Sequence, residues 1–267
     1  MNKVENYLVG SDPELFIRHS QTNKIISSIG LIPGVKGKAY TPEGMSKGYG
    51  LQIDNILAEF NIPPTNIKDN FIASMNKMKK FIDDFVKKTD QNYEIHCYGS
   101  AIVDDDQLQS KEAKEFGCSP DYNAWTEDIN PKPDGESTNL RTTGCHFHIG
   151  YDNPSVEISL EIVKAFDLFL GVPSILIDPD DRRRQLYGKA GCFRLTSYGI
   201  EYRTLSGYFI SSDKLIGYCF DQIGEAIDFI NKGNSAEMVG KEVQHCINNN
   251  DKEVAKALIS KFNLKTI

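Results

Sequence analysis

Apolar and polar residues alternate in several short stretches of the chain, as they do in strands that bury one face and leave the other polar. Elsewhere, apolar residues recur every three or four positions, which predicts amphipathic helices. The predicted strands lie within residues 7–18, 51–62, 93–103, 141–151 and 187–207. The predicted helices cover residues 66–88, 154–171, 214–232, 235–248 and 251–262. Because the strands alternate in polarity, the pattern favours an α+β fold with a curved, mainly antiparallel sheet.

Local signals set the expected boundaries of these elements. Pro63 and Pro64 are expected to end the strand at 51–62, which alternates as a single element. Asn153 is the expected N-cap, and Pro154 the first residue, of the helix at 154–171. We expect the helices at 66–88 and 154–171 to cover the convex face of the sheet, so that its concave face carries the polar residues.

Composition and charge narrow the class of protein. The chain has 267 residues, 40% of them hydrophobic and 25% charged, which is typical of a globular protein. A net charge of −7 argues against general binding to nucleic acids or anionic membranes. No apolar stretch reaches the length of a signal peptide or a membrane span, so we expect a cytoplasmic protein. Six cysteines without a C-x-x-C pair are expected to be reduced thiols.

Chain length allows one large domain or one domain with an appendage. Residues 1–212 are expected to form the core, and residues 213–267 a helical segment packed on it. Two stretches lack periodicity. Residues 30–50 are rich in glycine without a nucleotide-binding fingerprint and are expected to form a mobile loop. Residues 104–143 form a long loop that contains Tyr122 and Trp125, and these aromatic residues favour a role in binding, as a lid over a site.

The strand near residue 201 carries the strongest chemical signal. In an extended strand Glu201, Arg203 and Leu205 share one side, so a carboxylate and a guanidinium stand next to each other. Arg194 comes from the preceding strand, and Lys189 and residues 182–184 lie just upstream. Such a convergence of cations near one acid suits a phosphate and its metal ion. The alternative is an exposed structural ion pair.

Other strands carry similar polar faces. His146 and His148 share one face of the strand at 141–151 and can converge on a metal or a phosphate, or be two polar residues on an open sheet. Glu14 and Glu59 are carboxylates set among apolar strand residues. Together these faces favour a shared concave site. Carboxylates with at most one histidine suit Mg²⁺ or Mn²⁺, and a hard cation beside arginines favours phosphoryl chemistry on ATP.

The motifs that carry these residues resemble a known family. GCHFHIG is similar to the GMHxHxS strand of glutamine synthetases, and GIEYRTLSG is similar to their IExRxPD strand. In order along the chain, GSDPELF, DNILAEFNIPP, RTTGCHFHIG, RRRQLYGKAGCFR and YGIEYRTLS resemble the phage-encoded COOH-NH2 ligases, which are amidoligases of the glutamine synthetase and glutamate-cysteine ligase superfamily. The sequence lacks the N-terminal domain of glutamine synthetase, and Leu205-Ser206 replaces its Pro-Asp.

This resemblance implies a glutamine synthetase-like catalytic domain and an ATP-dependent carboxylate-amine ligase. Its implied Mg²⁺ ligands, with Mn²⁺ as an alternative ion, are Glu14, Glu59, His146 and Glu201. The implied nucleotide contacts are His148, Lys189, Arg194 and Arg203. The implied catalytic residues are Arg203, Arg194 and Glu201.

In the implied reaction, ATP converts a carboxylate to an acyl phosphate, and an amine then attacks to form an amide. The implied substrates are a small-molecule or peptide carboxylate and an amine, in the host cytoplasm if the protein is phage-encoded, and a homo-oligomer is compatible with the resemblance. From the residues alone, two alternatives stay open. One is a metal-dependent hydrolase that uses the H-x-H segment and the acids, and the other is a non-catalytic nucleotide-binding module.

Overall fold

The computed structural model describes residues 3–114, 121–131 and 138–267. Its strands are Leu8–Ser11 (β1), Glu14–His19 (β2), Ile25–Ile26 (β3), Gly50–Asp54 (β4), Leu57–Thr65 (β5), Tyr93–His96 (β6), Ser100–Ile102 (β7), Tyr122–Asn123 (β8), Leu140–Thr142 (β9), Phe147–Gly150 (β10), Cys192–Thr196 (β11) and Gly199–Tyr202 (β12). Its helices are Lys68–Val86 (α1), Lys111–Lys114 (α2), Val156–Phe166 (α3), Val172–Ile177 (α4), Arg183–Leu186 (α5), Asp213–Asn231 (α6), Gly240–Asn249 (α7) and Lys252–Phe262 (α8). A π-helical turn at Asp167–Gly171 joins α3 to α4.

Most strands form one large sheet in the order β3-β2-β5-β1-β10-β12-β11-β8, with β4 added to β5 and β6 added to β2. A separate pair is formed by β7 and β9. Wherever the described strands pair, they pair antiparallel. The predicted α+β class with a mainly antiparallel sheet is therefore confirmed, and the finer glutamine synthetase-like topology stays a prediction.

The apolar face of the sheet packs against α1 and α3, and α6 packs on these two helices. Phe147 and Ile149 of β10 and Ile200 of β12 belong to the same buried core as Phe71 of α1 and Phe166 of α3. The expected covering of one face by the helices at 66–88 and 154–171 is confirmed. A second apolar core joins α4, α7 and α8. Whether residues 213–267 form a separate segment stays a prediction. No described helix is long and apolar enough to cross a membrane.

The segment at 51–62 is a hairpin, and the prediction of one strand ending at the prolines is wrong. Strand β4 runs to Asp54, and Asn55, with φ of +60°, turns the chain back into β5. Asparagine tolerates this left-handed conformation better than most residues, so it supports the tight turn. Strand β5 then continues through both prolines, because its register against β1 shifts there and the usual ladder is interrupted.

The helix predicted from residue 154 begins two residues later. Ser155 is its N-cap, in an extended conformation, and its Oγ accepts a hydrogen bond from the backbone N–H of Ile158 at 3.3 Å. Asn153 has φ of +50° and cannot serve as the extended N-cap residue. The predicted cap at Asn153 and start at Pro154 are therefore wrong.

Trp125 is half-buried against the second apolar core and does not support a lid. Its ring packs against the second apolar core, and its Nε1 donates to Asp167 Oδ2 at 2.7 Å. Tyr122 lies on the short strand β8, beside the ring of Phe193 of β11. The predicted binding loop at 104–143 also includes residues 115–120 and 132–137, with Cys118 among them, which lie outside the described residues.

Asp167 joins four parts of the chain. Its Oδ2 accepts hydrogen bonds from Trp125 and from the backbone N–H of Gly191, and its Oδ1 accepts from the hydroxyls of Tyr202 and Thr204. Complete burial raises the pKa of this carboxyl to about 6. The π-helical turn thereby ties the sheet to the second core.

Replacing Asp167 with asparagine should lower the free energy of unfolding by roughly 2–4 kcal/mol, because the new amide N–H groups face buried donors. Urea denaturation measures this loss. When folding raises the pKa of a carboxyl, the protein loses stability as pH rises from the unfolded to the folded pKa. The wild type should therefore lose stability between about pH 4 and about pH 6. The variant should lack this dependence on pH. The matched control is Asp84→Asn on the exposed face of α1, expected within about 0.5 kcal/mol of wild type. Equal losses at both positions would contradict a central role for Asp167.

Candidate active site

Four neighbouring strands place one row of residues on the polar face of the sheet. Gly10 of β1 lies opposite His148 of β10, His148 opposite Glu201 of β12, and Glu201 opposite Arg194 of β11. Directly paired residues in antiparallel strands point to the same side. The structure therefore brings His148 next to Glu201 and Arg194, which the sequence placed on a different polar face.

A compact set of possible metal ligands adjoins this row and includes Glu201 from it. One ligand atom each from Asp12, His146 and Glu201 lies within 4.8 Å of the others. His146 Nδ1 is 3.4 Å from Asp12 Oδ1 and 3.5 Å from Glu201 Oε1. His146 precedes β10 and is held there by its backbone carbonyl, which accepts from Ser11 Oγ at 2.6 Å. Two carboxylates and one imidazole suit a hard divalent cation such as Mg²⁺ or Mn²⁺.

Asp12 was not among the residues expected at the site. It lies between β1 and β2, where Pro13 interrupts the strand, so alternation assigns it to no face. The available signal is its place within GSDPELF, one of the motifs that carry the family resemblance. Although burial disfavours its charge, the nearby His148 holds the pKa of Asp12 well below its usual range. Asp12 is therefore an ionised carboxylate in the folded protein.

Gly144 makes room for the His146 ring. A side chain at position 144 would collide with Nε2 and the adjoining ring atoms. The N–H of Gly144 also donates to Glu14 Oε2 at 2.5 Å, which ties β2 to the same segment. The glycine of the GCHFHIG motif thus supports both a histidine and a carboxylate of the site.

Arg203 is buried at the centre of the cluster, with 4% of its surface exposed. Its Nη1 donates to Glu201 Oε1 and lies 3.3 Å from His146 Nδ1, and its Nε donates to the Tyr187 hydroxyl at 3.0 Å. Burial opposes the charge, but the Tyr187 and Glu201 oxygens raise the pKa of Arg203 well above its usual value. In turn, Arg203 lowers the pKa of Glu201 against the effect of burial. The alternative of an exposed structural pair is wrong, because both side chains are buried.

Arg194 supplies a second guanidinium from β11. Its Nη1 lies 3.5 Å from Glu201 Oε1, and its side chain keeps 24% exposure. Leu205 does not share this face, since β12 ends at Tyr202 and Leu205 is fully buried in the apolar core. The polar face therefore ends in two arginines that flank one carboxylate.

Glu14 and Glu59 lie opposite each other on β2 and β5, and Gln52 of β4 continues that row. Gln52 donates to Glu59 Oε2 at 2.8 Å. Burial raises the pKa of Glu59 well above its usual value, and the Asp12, Glu14 and Asp54 carboxylates raise it further. Burial also raises the pKa of Glu14. These mutually repelling carboxylates favour a cation among them.

His148 connects Asp12 to Tyr198. Its Nε2 lies 2.9 Å from Asp12 Oδ1, and its Nδ1 shares a 2.6 Å hydrogen bond with the Tyr198 hydroxyl. Burial disfavours the charged ring, but the Asp12 carboxylate raises the pKa of His148 overall. The Asp12 carboxylate therefore favours the protonated form of His148 at the edge of the cluster.

The other basic side chains that the sequence placed near Glu201 point away from it. Lys189 Nζ donates to the carbonyl of Asn248 on α7 at 3.2 Å, away from the cluster. Arg183 is buried and donates to the carbonyls of residues 143, 204 and 205. Arg184 donates to Ser174 Oγ, and Arg182 to the carbonyl of Ser100. The structure therefore does not bring Lys189 or residues 182–184 to Glu201.

A cavity of about 450 Å³, termed here the acidic cavity, opens onto this cluster. Its lining includes Asp12, Asp54, Glu59, His146, Arg194 and Arg203. The glycine-rich segment at 30–50 adds Lys36, Gly37 and Ala39, and Lys36 Nζ lies 3.2 Å from Asp54 Oδ1. The cavity combines carboxylates for a cation with guanidinium groups for an anion. Such a face is suited to binding a metal ion together with an anionic ligand.

Comparison with known protein families supports a ligase. Residues 134–224 match the family model described as Phage phiEco32-like COOH.NH2 ligase-type 2. The match confirms the resemblance that the sequence motifs indicate, and it supports a ligase of the carboxylate-amine type. The matched range contains the H-x-H segment and residues 187–207, whereas Asp12, Glu14 and Glu59 precede it. No curated protein matches the chain.

The raised pKa of Glu59 predicts a pH-dependent effect of metal on stability. As pH rises above the usual glutamate range, the folded protein must ionise Glu59 among other carboxylates and so loses stability. A divalent cation offsets that repulsion, so Mn²⁺ should raise the melting temperature more at about pH 8 than at about pH 6. Thermal unfolding with and without Mn²⁺ measures the difference.

The Glu59→Gln variant should show a smaller dependence of the Mn²⁺ effect on pH. Glu157→Gln, on the exposed face of α3, is the control and should behave like the wild type. If Mn²⁺ stabilises Glu59→Gln and the wild type equally at every pH, Glu59 does not respond to the cation.

Proposed function

We propose that the protein is an ATP- and Mg²⁺-dependent carboxylate-amine ligase that forms an amide through an acyl phosphate. The observation that carries this proposal is the buried Arg203, which is hydrogen-bonded to Glu201 inside the Asp12, His146 and Glu201 cluster. This arrangement places the Arg203 guanidinium beside the three possible metal ligands. An anion bound to the cation therefore meets a guanidinium, as a transferring phosphoryl group requires.

The residues present fit the implied metal ion. Asp12, His146 and Glu201 offer two carboxylates and one ring nitrogen, and Glu59 lines the same cavity. Oxygen-rich sets of this kind bind Mg²⁺ or Mn²⁺ through few protein ligands, together with phosphate oxygens. When bound, the ion would neutralise the phosphates and leave the terminal phosphorus open to attack.

The protein's own groups have distinct roles in the proposed reaction. Arg203, which Glu201 and Tyr187 hold in place, stabilises the negative charge on the phosphoryl group during its transfer. Arg194, which is partly exposed, orients the anionic substrate or phosphate at the cavity mouth. Glu201 positions both arginines. Positioning and charge neutralisation are the main requirements of such a transfer, so no protein nucleophile is needed.

The proposed substrates are a small-molecule or peptide carboxylate and an amine. A panel of acid and amine pairs, incubated with ATP and Mg²⁺, should yield one pair that drives ADP release, and mass spectrometry should detect the amide. Hydroxylamine in place of the amine should trap the acyl phosphate as a hydroxamate. Omission of either substrate or of Mg²⁺ should abolish the amide product.

Glu201→Gln should lose most of this activity while remaining folded, and Glu157→Gln should retain it. Metal-dependent hydrolysis of a substrate without nucleotide would favour a hydrolase instead. Full activity and unchanged Mg²⁺-ATP binding in Glu201→Gln would remove Glu201 from the site.

A further inference from the structure

A second cavity, of about 600 Å³, adjoins the acidic cavity and is termed here the apolar cavity. Its walls include Leu8, Gly10, Tyr49, Ile62, Pro64 and Tyr198. Ala39 and Asn61 line both cavities, and His148 lines the apolar cavity while contacting Asp12 of the acidic one. A molecule with its charged end in the acidic cavity can therefore extend into the apolar cavity.

The walls of the apolar cavity do not suit a charged group. No aspartate, glutamate, lysine or arginine is among its described lining residues. His148 also lines it, but both ring nitrogens already face partners, Nδ1 the Tyr198 hydroxyl at 2.6 Å and Nε2 Asp12 Oδ1 at 2.9 Å. Several polar atoms of the wall are already paired within the protein. Tyr49 Oη pairs with Ser74 Oγ at 2.9 Å, Tyr198 Oη with His148 at 2.6 Å, and Ser11 Oγ donates to a backbone carbonyl. A carboxylate or ammonium bound there would lose its hydration without a replacement.

Glycines leave part of the wall flat. A Cβ added at Gly10 would lie 3.6 Å from His148 and Pro64, and one added at Gly150 would lie 3.6 Å from Tyr198. These are ordinary contact distances, so a larger residue at either position would not clash through its Cβ. The glycines therefore leave open space above the strand backbone. The flat backbone beside the Tyr198 ring suits a planar ring or an apolar side chain.

We propose that the apolar cavity binds an uncharged, largely apolar group of one of the substrates, whose charged part lies in the acidic cavity. This inference rests on the proposed ligase function and deepens it by naming the chemistry of the adjoining subsite. Two sources can supply such a group: the base of the nucleotide, or an apolar side chain of the acid or amine.

Leu8→Asn tests the inference because it changes the polarity of the wall with little change in size. Leu8 has 39% of its surface exposed, so the substitution should not unfold the protein. Leu195→Asn is the matched control, since Leu195 is 45% exposed on another strand of the sheet and does not line the cavity. Gly150→Ala is a second variant that narrows the cavity, because a Cβ at this position would lie 3.6 Å from Tyr198, an ordinary contact distance. Melting temperatures verify that each variant is folded.

Calorimetry with Mg²⁺-ATP and Mg²⁺-tripolyphosphate separates the base from the phosphates. If the subsite takes the base, Leu8→Asn and Gly150→Ala should weaken Mg²⁺-ATP binding on the order of tenfold and leave tripolyphosphate binding unchanged. If it takes the acid or amine, both probes should bind as in the wild type, and the KM of one substrate should rise by a similar factor in the ADP assay.

Wild-type affinities and KM values in both variants, in a protein that releases ADP, would overturn the subsite and leave the ligase function standing. Failure of the wild type itself to bind Mg²⁺-ATP or release ADP would instead overturn the proposed function, and the subsite with it. Equal losses in Leu195→Asn would also overturn the subsite, because they would show a general effect of the substitution on the sheet.

Discussion

Replacing Arg203 with lysine should slow ADP release by about a hundredfold or more in a protein that stays folded. Lysine keeps the charge but loses the planar fork that reaches Glu201 and Tyr187 at the same time. Loss of one preorganised contact to a transition state costs roughly 3–4 kcal/mol, which corresponds to this change in rate. The lost hydrogen bonds to Tyr187 should lower the free energy of unfolding by only about 1–2 kcal/mol. Steady-state kinetics and urea denaturation of the same preparation measure both effects.

Two arginines from one helical turn provide controls for this variant. Arg182 is exposed and Arg183 is buried, and the hydrogen bonds described for them go to backbone carbonyls and not to Asp12, His146, Glu201 or Arg203. Arg182→Lys should be nearly silent. Arg183→Lys should lose stability, because its three carbonyl partners lose their donors, but turnover per folded molecule should hold. If Arg203→Lys resembled Arg183→Lys in both measurements, Arg203 would be a structural residue, and the main support for phosphoryl transfer would be gone.

Periodicity was sufficient for most elements of the fold. The predicted helix at 66–88 corresponds to α1, Lys68–Val86, because its apolar stripe is long and packs on β5 and β6 of the sheet. Periodicity failed where local backbone chemistry decides the path of the chain. Asn55 turns a seemingly continuous strand into a hairpin through its left-handed conformation, and Ser155 caps a helix that Asn153 and Pro154 seemed to begin.

The site was predictable only as far as alternation within a strand allows. Glu201 and His148 lie on polar strand faces, and cross-strand register then makes them direct neighbours, which no single strand reveals. Lys189 follows a similar basic signal but donates to a carbonyl on α7, because a long flexible side chain can turn to either side of its segment. Burial of Arg203 was equally hidden, since an E-x-R pair has the same sequence whether water or protein covers it.

Asp12 is the site residue that strand alternation could not predict, and its replacement should have the second large effect. Asp12→Asn should weaken Mn²⁺ binding by roughly a hundredfold and lower Mg²⁺-dependent turnover at least as much. An amide keeps the shape of the side chain but removes the charge that faces His146 and His148. Removal of a direct ligand should exceed the roughly 10- to 100-fold loss typical of groups that only orient ligands. Calorimetric titration with Mn²⁺ measures the affinity, and the ADP assay measures the turnover.

The matched control for this variant is Asp54→Asn. Asp54 lines the same acidic cavity but pairs with Lys36 and lies outside the three-ligand set. Its loss should change Mn²⁺ affinity by less than about tenfold, because it removes one charge from the cavity without removing a ligand. A structural role for Asp12 would appear as a lower melting temperature that is the same with and without Mn²⁺. A direct ligand would appear as a selective loss of the stabilisation that Mn²⁺ provides. Similar Mn²⁺ affinities in the two variants would move the cation away from Asp12, His146 and Glu201 and toward the Glu14 and Glu59 pair.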